Sequence, residues 1–312
     1  MPGVSVGAVS GLKPRGDDLV QPFLLEIPGI RGRLVRLGPL LDEIVGRHGY
    51  PEPVASLLAE FLALATTLAS LLKYRGIFTL QGRGEGLLRL LVADVTDKGA
   101  TRGYASFDAD RLPPADAPLD LPSVMGAGYL SFTVDPDAEG ERYQGIVALE
   151  GASLADCVLH YFRQSEQLPT GLLVAAGGPV PGANKGRRAA TLILQRLPQE
   201  DEAARGGESE EAWRRAMVLM ASCRQEELIG QRLSSHQLLY RLFHEERVRV
   251  FRQRRFHFAC RCTRERLARV LKSLPQQELL ALAVEDEVTA DCQFCGREYR
   301  FSAREIAELT AP

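Results

Sequence analysis

The stretch "PVASLLAEFLALATTLASLLKY", Pro53 to Tyr74, runs almost directly into "GIFTLQGRGEGLLRLLVADV", Gly76 to Val95. The first is apolar on nearly every face, which predicts a helix buried on most sides. Tyr50-Pro51-Glu52-Pro53 breaks the chain ahead of it. The second holds two strand-like runs, Ile77 to Gln81 and Leu87 to Val95, around a glycine turn, which predicts a β-hairpin. Gly82, Gly84 and Gly86 also invite comparison with a phosphate loop. They sit between two strands with no helix after them, so a β-turn is the better reading.

Working outward, strands are expected at Leu34 to Leu37, Gly128 to Val134, Tyr143 to Leu149, Leu172 to Ala176 and Thr191 to Leu197. "LADCVLHYFRQSEQ" predicts a second helix. The strands are joined by short turns as well as helices, so residues 21–196 read as an α+β domain with a mainly antiparallel sheet. Residues 1–20 are rich in Gly, Ser and Pro and read as a flexible tail. After Pro198 the composition changes. "QEDEAARGGESEEAWRR" is a dense charged stretch, read as solvated. Trp213, Ala216, Met217 and Met220 then recur at helical spacing. Ser234 to Gln237 fits a capping box that opens another helix with Leu238 and Leu242. Residues 197–245 are therefore expected to form a charged helical linker, and residues 246–312 a small cysteine-bearing unit.

The 312 residues, 45% hydrophobic with a net charge of −2, suit two or three packed units and suggest neither a nucleic-acid nor a membrane protein. The N-terminus lacks a basic start followed by an apolar run, so no signal peptide is expected. Leu57 to Leu72, the longest apolar stretch, is interrupted by Glu60, Thr66, Thr67 and Ser70 and is not expected to span a membrane. A reducing, cytoplasmic compartment follows, where clustered cysteines are more often metal ligands than structural disulfides.

Four of the six cysteines lie in "HFACRCTRER" and "DCQFC". A unit of some sixty residues has a weak core and needs a staple. Cys260, Cys262, Cys292 and Cys295 can supply tetrahedral thiolate ligation to one zinc ion per chain. Between them, Leu267, Val270, Leu271 and Leu274 predict a helix ended by Pro275. Cys292 to Gly296 resembles a zinc knuckle, and Ser302 to Glu305 fits the cap of a final helix. Four thiolates close the shell, so hydrolytic zinc chemistry is not expected. His257 reads as a surface residue and not a fifth ligand. Neighbouring thiols can also be oxidised to disulfides within each pair, which would eject the metal and unfold the unit. Cys157 and Cys223 read as lone, buried or half-buried helix thiols.

The motifs also resemble a known family. "FACRCTRER", "LKSLPQQEL" and "CQFCGREYRFSAREI" look like the zinc-binding end of the heat shock protein 33 family. "YPEPVASLLAEFLALATTLASLLKYRGIFTLQGRGEG", "GERYQGIVALEG", "YFRQSEQLPT" and "LLYRLFHEE" match its inner motifs in order, over about residues 20 to 310. The resemblance implies a cytosolic, ATP-independent holdase that is not an enzyme. It implies an inactive reduced form holding zinc through the four cysteines. Oxidation would form Cys260–Cys262 and Cys292–Cys295 disulfides, release zinc and disorder the linker. The active form would be a homodimer that binds unfolding client proteins. Trp213, Met217 and Met220 would pack on the sheet domain when docked and offer an adaptable apolar face to clients when freed.

Two rivals compete. Arg247 to Lys272 holds ten Lys or Arg and one acid, Glu265, whereas Ser273 to Pro312 holds three Lys or Arg and eight acids. The basic run fits a zinc-ribbon nucleic-acid binder, or simply offsets the thiolate charge. A thiol oxidoreductase acting through Cys292 and Cys295 lacks the expected βαβ setting.

Overall fold

The computed structural model describes residues 4–5, 16–26, 29–112, 120–137, 140–178, 186–198, 202–275, 279, 281–284, 287–302 and 304–306. In chain order the first compact unit, Met1–Phe258, opens with β1 (Val4–Ser5), β2 (Leu19–Leu25) and β3 (Ile30–Leu37), then α1 (Pro39–Val45) and α2 (Glu52–Leu71). There follow β4 (Gly76–Gly84), β5 (Leu88–Thr96), β6 (Ala100–Phe107), α3 (Leu121–Met125), β7 (Gly128–Pro136) and β8 (Tyr143–Ala148). Next come α4 (Leu154–Tyr161), β9 (Thr170–Gly177) and β10 (Arg188–Arg196). The unit ends with α5 (Glu202–Ala221), α6 (Gln225–Ile229), α7 (Ser235–Phe243), β11 (Val248–Val250), β12 (Arg254–Arg255) and β13 (His257–Phe258).

The α2 helix organises this unit. Pro51 occupies its N-cap and Pro53 its first turn, where a missing N–H costs nothing. It packs on β5 and β6 of one sheet and on β3, β9 and β10 of another. Val54, Leu58, Phe61, Leu62 and Ala65 are all essentially inaccessible. The Thr66 and Thr67 hydroxyls donate to carbonyls one turn back, and Thr67 also meets Thr191 on β10, so neither is stranded in the core. By length and composition the helix could cross a membrane, despite the interruptions at Glu60, Thr66, Thr67 and Ser70. However, 72% of its most apolar window is buried inside the protein, as a core helix requires.

One sheet runs β1-β11-β2-β3-β10-β9, with β12 also paired to β2. The other runs β13-β6-β5-β4-β7-β8. Among the described residues every pairing is antiparallel except the short β13–β6 contact. The fold is thus α+β, with two antiparallel sheets enclosing α2. The β4–β5 hairpin sits where the glycines predicted it. A side chain at Gly86 would strike the Val124 carbonyl at 2.5 Å, so glycine permits a close backbone approach there, and no helix follows it. The predicted strands and helices up to Leu197 are present, while "LADCVLHYFRQSEQ" is helical to Tyr161 and then widens into a π-turn over Phe162–Glu166.

The outer face of the first sheet carries a second core. Phe23, Ile30, Leu34, Leu192 and Leu194 of the sheet meet Ala216 and Met220 of α5, Leu228 of α6, and Leu238, Leu239, Leu242 and Phe243 of α7. The capping box at Ser234 is present: its hydroxyl accepts from the Gln237 N–H, and Gln237 Oε1 accepts from the Ser234 N–H. The α5 helix runs through Gly206 and Gly207; Gln199 to Asp201 of the charged stretch lie outside the described residues.

The second compact unit, Ala259–Pro312, contains α8 (Arg264–Lys272) and a hairpin of β14 (Glu287–Asp291) and β15 (Glu298–Ser302). Its small core is Leu271, Leu279, Val288, Phe301 and Ile306. Leu267 and Leu274 join that core, but Val270 is 63% exposed, so the apolar stripe of α8 is narrower than its sequence suggested.

Candidate metal centre

The second unit brings its four cysteines together from two local devices. Thr263 caps α8 by accepting from the Arg266 N–H, which ends the extended run bearing Cys260 and Cys262. Cys292 and Cys295 occupy the turn between β14 and β15. There the Cys295 and Gly296 N–H groups donate to the Cys292 carbonyl at 3.2 and 2.7 Å. Gly296 has φ +66°, the left-handed region that favours glycine. All four Sγ atoms lie within 4.8 Å of one another. Cys260 and Cys292 Sγ are 3.6 Å apart, and Cys262 and Cys295 Sγ 3.4 Å. Sulfurs about 2.3 Å from one tetrahedral ion stand about 3.8 Å apart, so the cluster fits a single metal ion. His257, exposed on β13, is not one of the clustered ligands.

The surroundings favour the four thiolates unevenly. Tyr299 donates its hydroxyl to Cys262 Sγ at 3.3 Å and to the Cys262 carbonyl at 3.2 Å. Burial opposes ionisation of Cys260, but hydrogen bonds from the Cys262 backbone and the neighbouring thiols outweigh it and bring the group down to about 7. Burial, with proton donation to Cys262 and Cys260, pushes Cys295 up to about 12. One thiolate is thus favoured first and its neighbours hydrogen-bond to it. Part of the basic run is already engaged. Arg264 pairs with Glu305 at 2.5 Å and lies over the Phe301 ring, and Arg266 donates to the Arg261 carbonyl. The two remaining cysteines are separate. Cys157 is buried in α4, donates to the Glu150 carbonyl and is pushed by burial to about 11. Cys223 is half-buried, but it follows α5 and is not on a helix; burial raises its thiol too.

In the first unit, α5, α6 and α7 pack on the outer face of the sheet. Met220 and Ala216 are buried, and Trp213 and Met217 are partly buried against the same cluster. Gly171 on β9 makes room: a side chain there would meet Met217 Sδ at 2.4 Å and Met220 Cε at 2.7 Å. Arg36 on β3 adds a polar clamp that the sequence reading missed. It is 4% exposed and donates through Nε to the Leu228 carbonyl at 3.0 Å, through Nη2 to Glu227 at 2.7 Å and through Nη1 to Leu233 at 2.5 Å. Arg188 on β10 joins it by donating to the Ile229 carbonyl and pairing with Asp17. An arginine in a strand carries no sequence signal of this kind, because its partners are backbone atoms some 190 residues away.

Comparison with known proteins agrees with this architecture. The family model described as Hsp33 protein matches residues 18–302. A 33 kDa chaperonin of Ectopseudomonas mendocina is 41% identical over 297 residues, covering 95% of this chain and 96% of that protein. One from Azotobacter vinelandii is 40% identical over 299 residues, covering 94% and 95%. The crystal structure of the 33 kDa chaperonin of Thermotoga maritima superposes with a TM-score of 0.76 at 21% identity, over 94% of this chain and 98% of that one, which shows a shared fold. With a matched family model over most of its length and relatives of this identity, the chain belongs to the heat shock protein 33 family.

Proposed function

We propose that this chain is a redox-regulated, ATP-independent holdase chaperone of the cytoplasm, acting on unfolding proteins during oxidative stress. The observation that carries this is the four-cysteine group, drawn from two close pairs 32 and 33 residues apart and converging within 4.8 Å. Cys260, Cys262, Cys292 and Cys295 would hold one Zn²⁺, which supplies the folding energy that the small core of this unit lacks. When peroxide oxidises a pair, two thiols lose two electrons and two protons, one S–S bond forms, and two waters leave. We assign the pairs as Cys260–Cys262 and Cys292–Cys295. Neither disulfide can ligate as thiolates do, so the second unit loses its staple. The linker, 197–245, is the metastable element. Its Met217, Met220 and Trp213 rest on the sheet in the docked state and would become an apolar client face when freed. The active form is a homodimer.

Measuring zinc content against free-thiol count before and after peroxide with mild heat tests this reading. About one zinc should leave per chain as four thiols disappear. The protein should then suppress aggregation of a denatured client without ATP. Full metal retention with all four thiols oxidised would refute the switch.

A further inference from the structure

Arg31, Arg33 and Arg254 share one face of the first sheet. In the strand register Arg33 lies opposite Pro22 of β2, and Arg254 lies opposite Val20 of the same strand. Pro22 and Val20 are two residues apart and so point the same way. Arg31 is two residues from Arg33 on β3. None of the three forms an ion pair among the described residues. The described polar partner of Arg31 is the neutral Gln195 side chain at 3.0 Å. Arg33 donates through Nη1 to the adjacent Gly32 carbonyl. Arg254 lies over the Phe256 ring. Three guanidinium atoms, Arg33 Nε, Arg254 Nε and Arg254 Nη2, are buried with no hydrogen-bond partner among the described residues.

Such donors cost stability unless something accepts from them. Burial, then Arg31, then Arg254 all disfavour the charge on Arg33 and bring it down to about 10. Asp97 acts on nearby Tyr74, as Arg254 does, but pairs with none of these arginines. We infer that the face between β2, β3 and β12 is an anion site for a compact, multiply charged oxyanion of the phosphate type, held by Arg33 and Arg254 with Arg31 beside them. Three cations call for more than one negative charge, and guanidinium forks match oxygens carried on one centre. Each residue is half-buried, but the three unpaired nitrogens are closed off from solvent, so an ion reaches them only when a covering side chain moves aside. The site does not depend on the cysteine switch.

The test uses the full chain, reduced and metal-loaded, at constant ionic strength. Inorganic phosphate, a phosphomonoester (glycerol 3-phosphate) and acetate are titrated separately, with Tm and the Nε–H resonances of labelled arginine as readouts. Saturable binding of phosphate should raise Tm and move the Arg33 and Arg254 signals, and acetate should do neither. Binding of the ester as well would place the ion on a larger carrier; binding of phosphate alone would mean a site closed around the free ion. Arg33→Met and Arg254→Met should each weaken phosphate binding by about tenfold or more. Without phosphate each should leave Tm unchanged or about 2–4 °C higher, because an unmatched buried charge is gone. A merely structural role would lower it. Absence of saturable binding, equal response to acetate, or unchanged affinity in both variants overturns the site. The wild-type arginine resonances carry the test if a variant fails to fold.

Discussion

Replacing Arg36 with methionine removes the clamp that holds residues 227–233 against the sheet. The guanidinium engages three carbonyls at 2.5–3.0 Å while only 4% exposed. Hydrogen bonds from a charged donor contribute about 1.5–3 kcal/mol each, or about 5–9 kcal/mol for three. Two effects offset this. Burial disfavours the charge, bringing Arg36 down to about 10, and carbonyls freed at a surface regain water. A net loss of about 2–4 kcal/mol in docking remains. At about 1.4 kcal/mol per tenfold, that is about 30- to 1000-fold more opening of α6 and α7. Hydrogen exchange reads this directly in the full chain with thiols reduced and metal bound. Amides of α7 should exchange faster by that factor, while β4, β5 and β7 stay protected. Trp213, the single tryptophan, should shift its emission to longer wavelength. Metal content should not change. Exchange of α7 within threefold of the parent would refute the clamp. An equal speed-up across both sheets would show global destabilisation instead.

Gly171→Ile should undock α5, because its side chain must enter the space of Met217 and Met220. Gly171→Ala, which meets only flexible methionine ends, should do far less, and Trp213 emission separates the two. Ser234→Ala removes the α7 cap and should cost about 1 kcal/mol in urea denaturation. Glu60 lies on α2, where burial raises its carboxyl pKa. Its folded pKa is above the unfolded value of about 4.3, so its favourable contribution is complete below that pH and lost as pH rises through the folded pKa. Glu60→Gln should therefore raise the urea midpoint at pH 7.5 and leave it nearly unchanged near pH 4. A chelator at neutral pH should abolish protection of the β14–β15 hairpin and leave that of β4 and β5, as separate exchange maps would show.

Much of the core was legible because its signals are local. The apolar run of α2, the glycine turn of the β4–β5 hairpin and the Ser234 cap each fit within a few residues. So did the cysteine spacing. What escaped was set by distant partners. The strands β11 and β12 read only as an arginine-rich tract, yet they pair with β2 more than 220 residues earlier. Arg33 and Arg36 look alike in the string "RGRLVRL", but they face opposite sides of one sheet. One is short of acceptors and the other is fully supplied. Val270 fits the helical period and is still exposed, because the core of the second unit is too small to use every apolar position.

The arrangement of sulfurs in the second unit makes the choice of disulfide partners decisive. The 3.6 Å and 3.4 Å contacts described above join one pair to the other. A disulfide along either contact would close a loop of more than thirty residues and restrict the unfolded chain by about 4 kcal/mol. Oxidation would then replace one long-range tie with another. A disulfide within a pair closes a loop of three or four residues, worth less than about 2 kcal/mol. It consumes the same thiols but leaves the segment between the pairs untethered. Two oxidised forms of equal mass and thiol count would therefore differ in chain topology, one still closed and the other open.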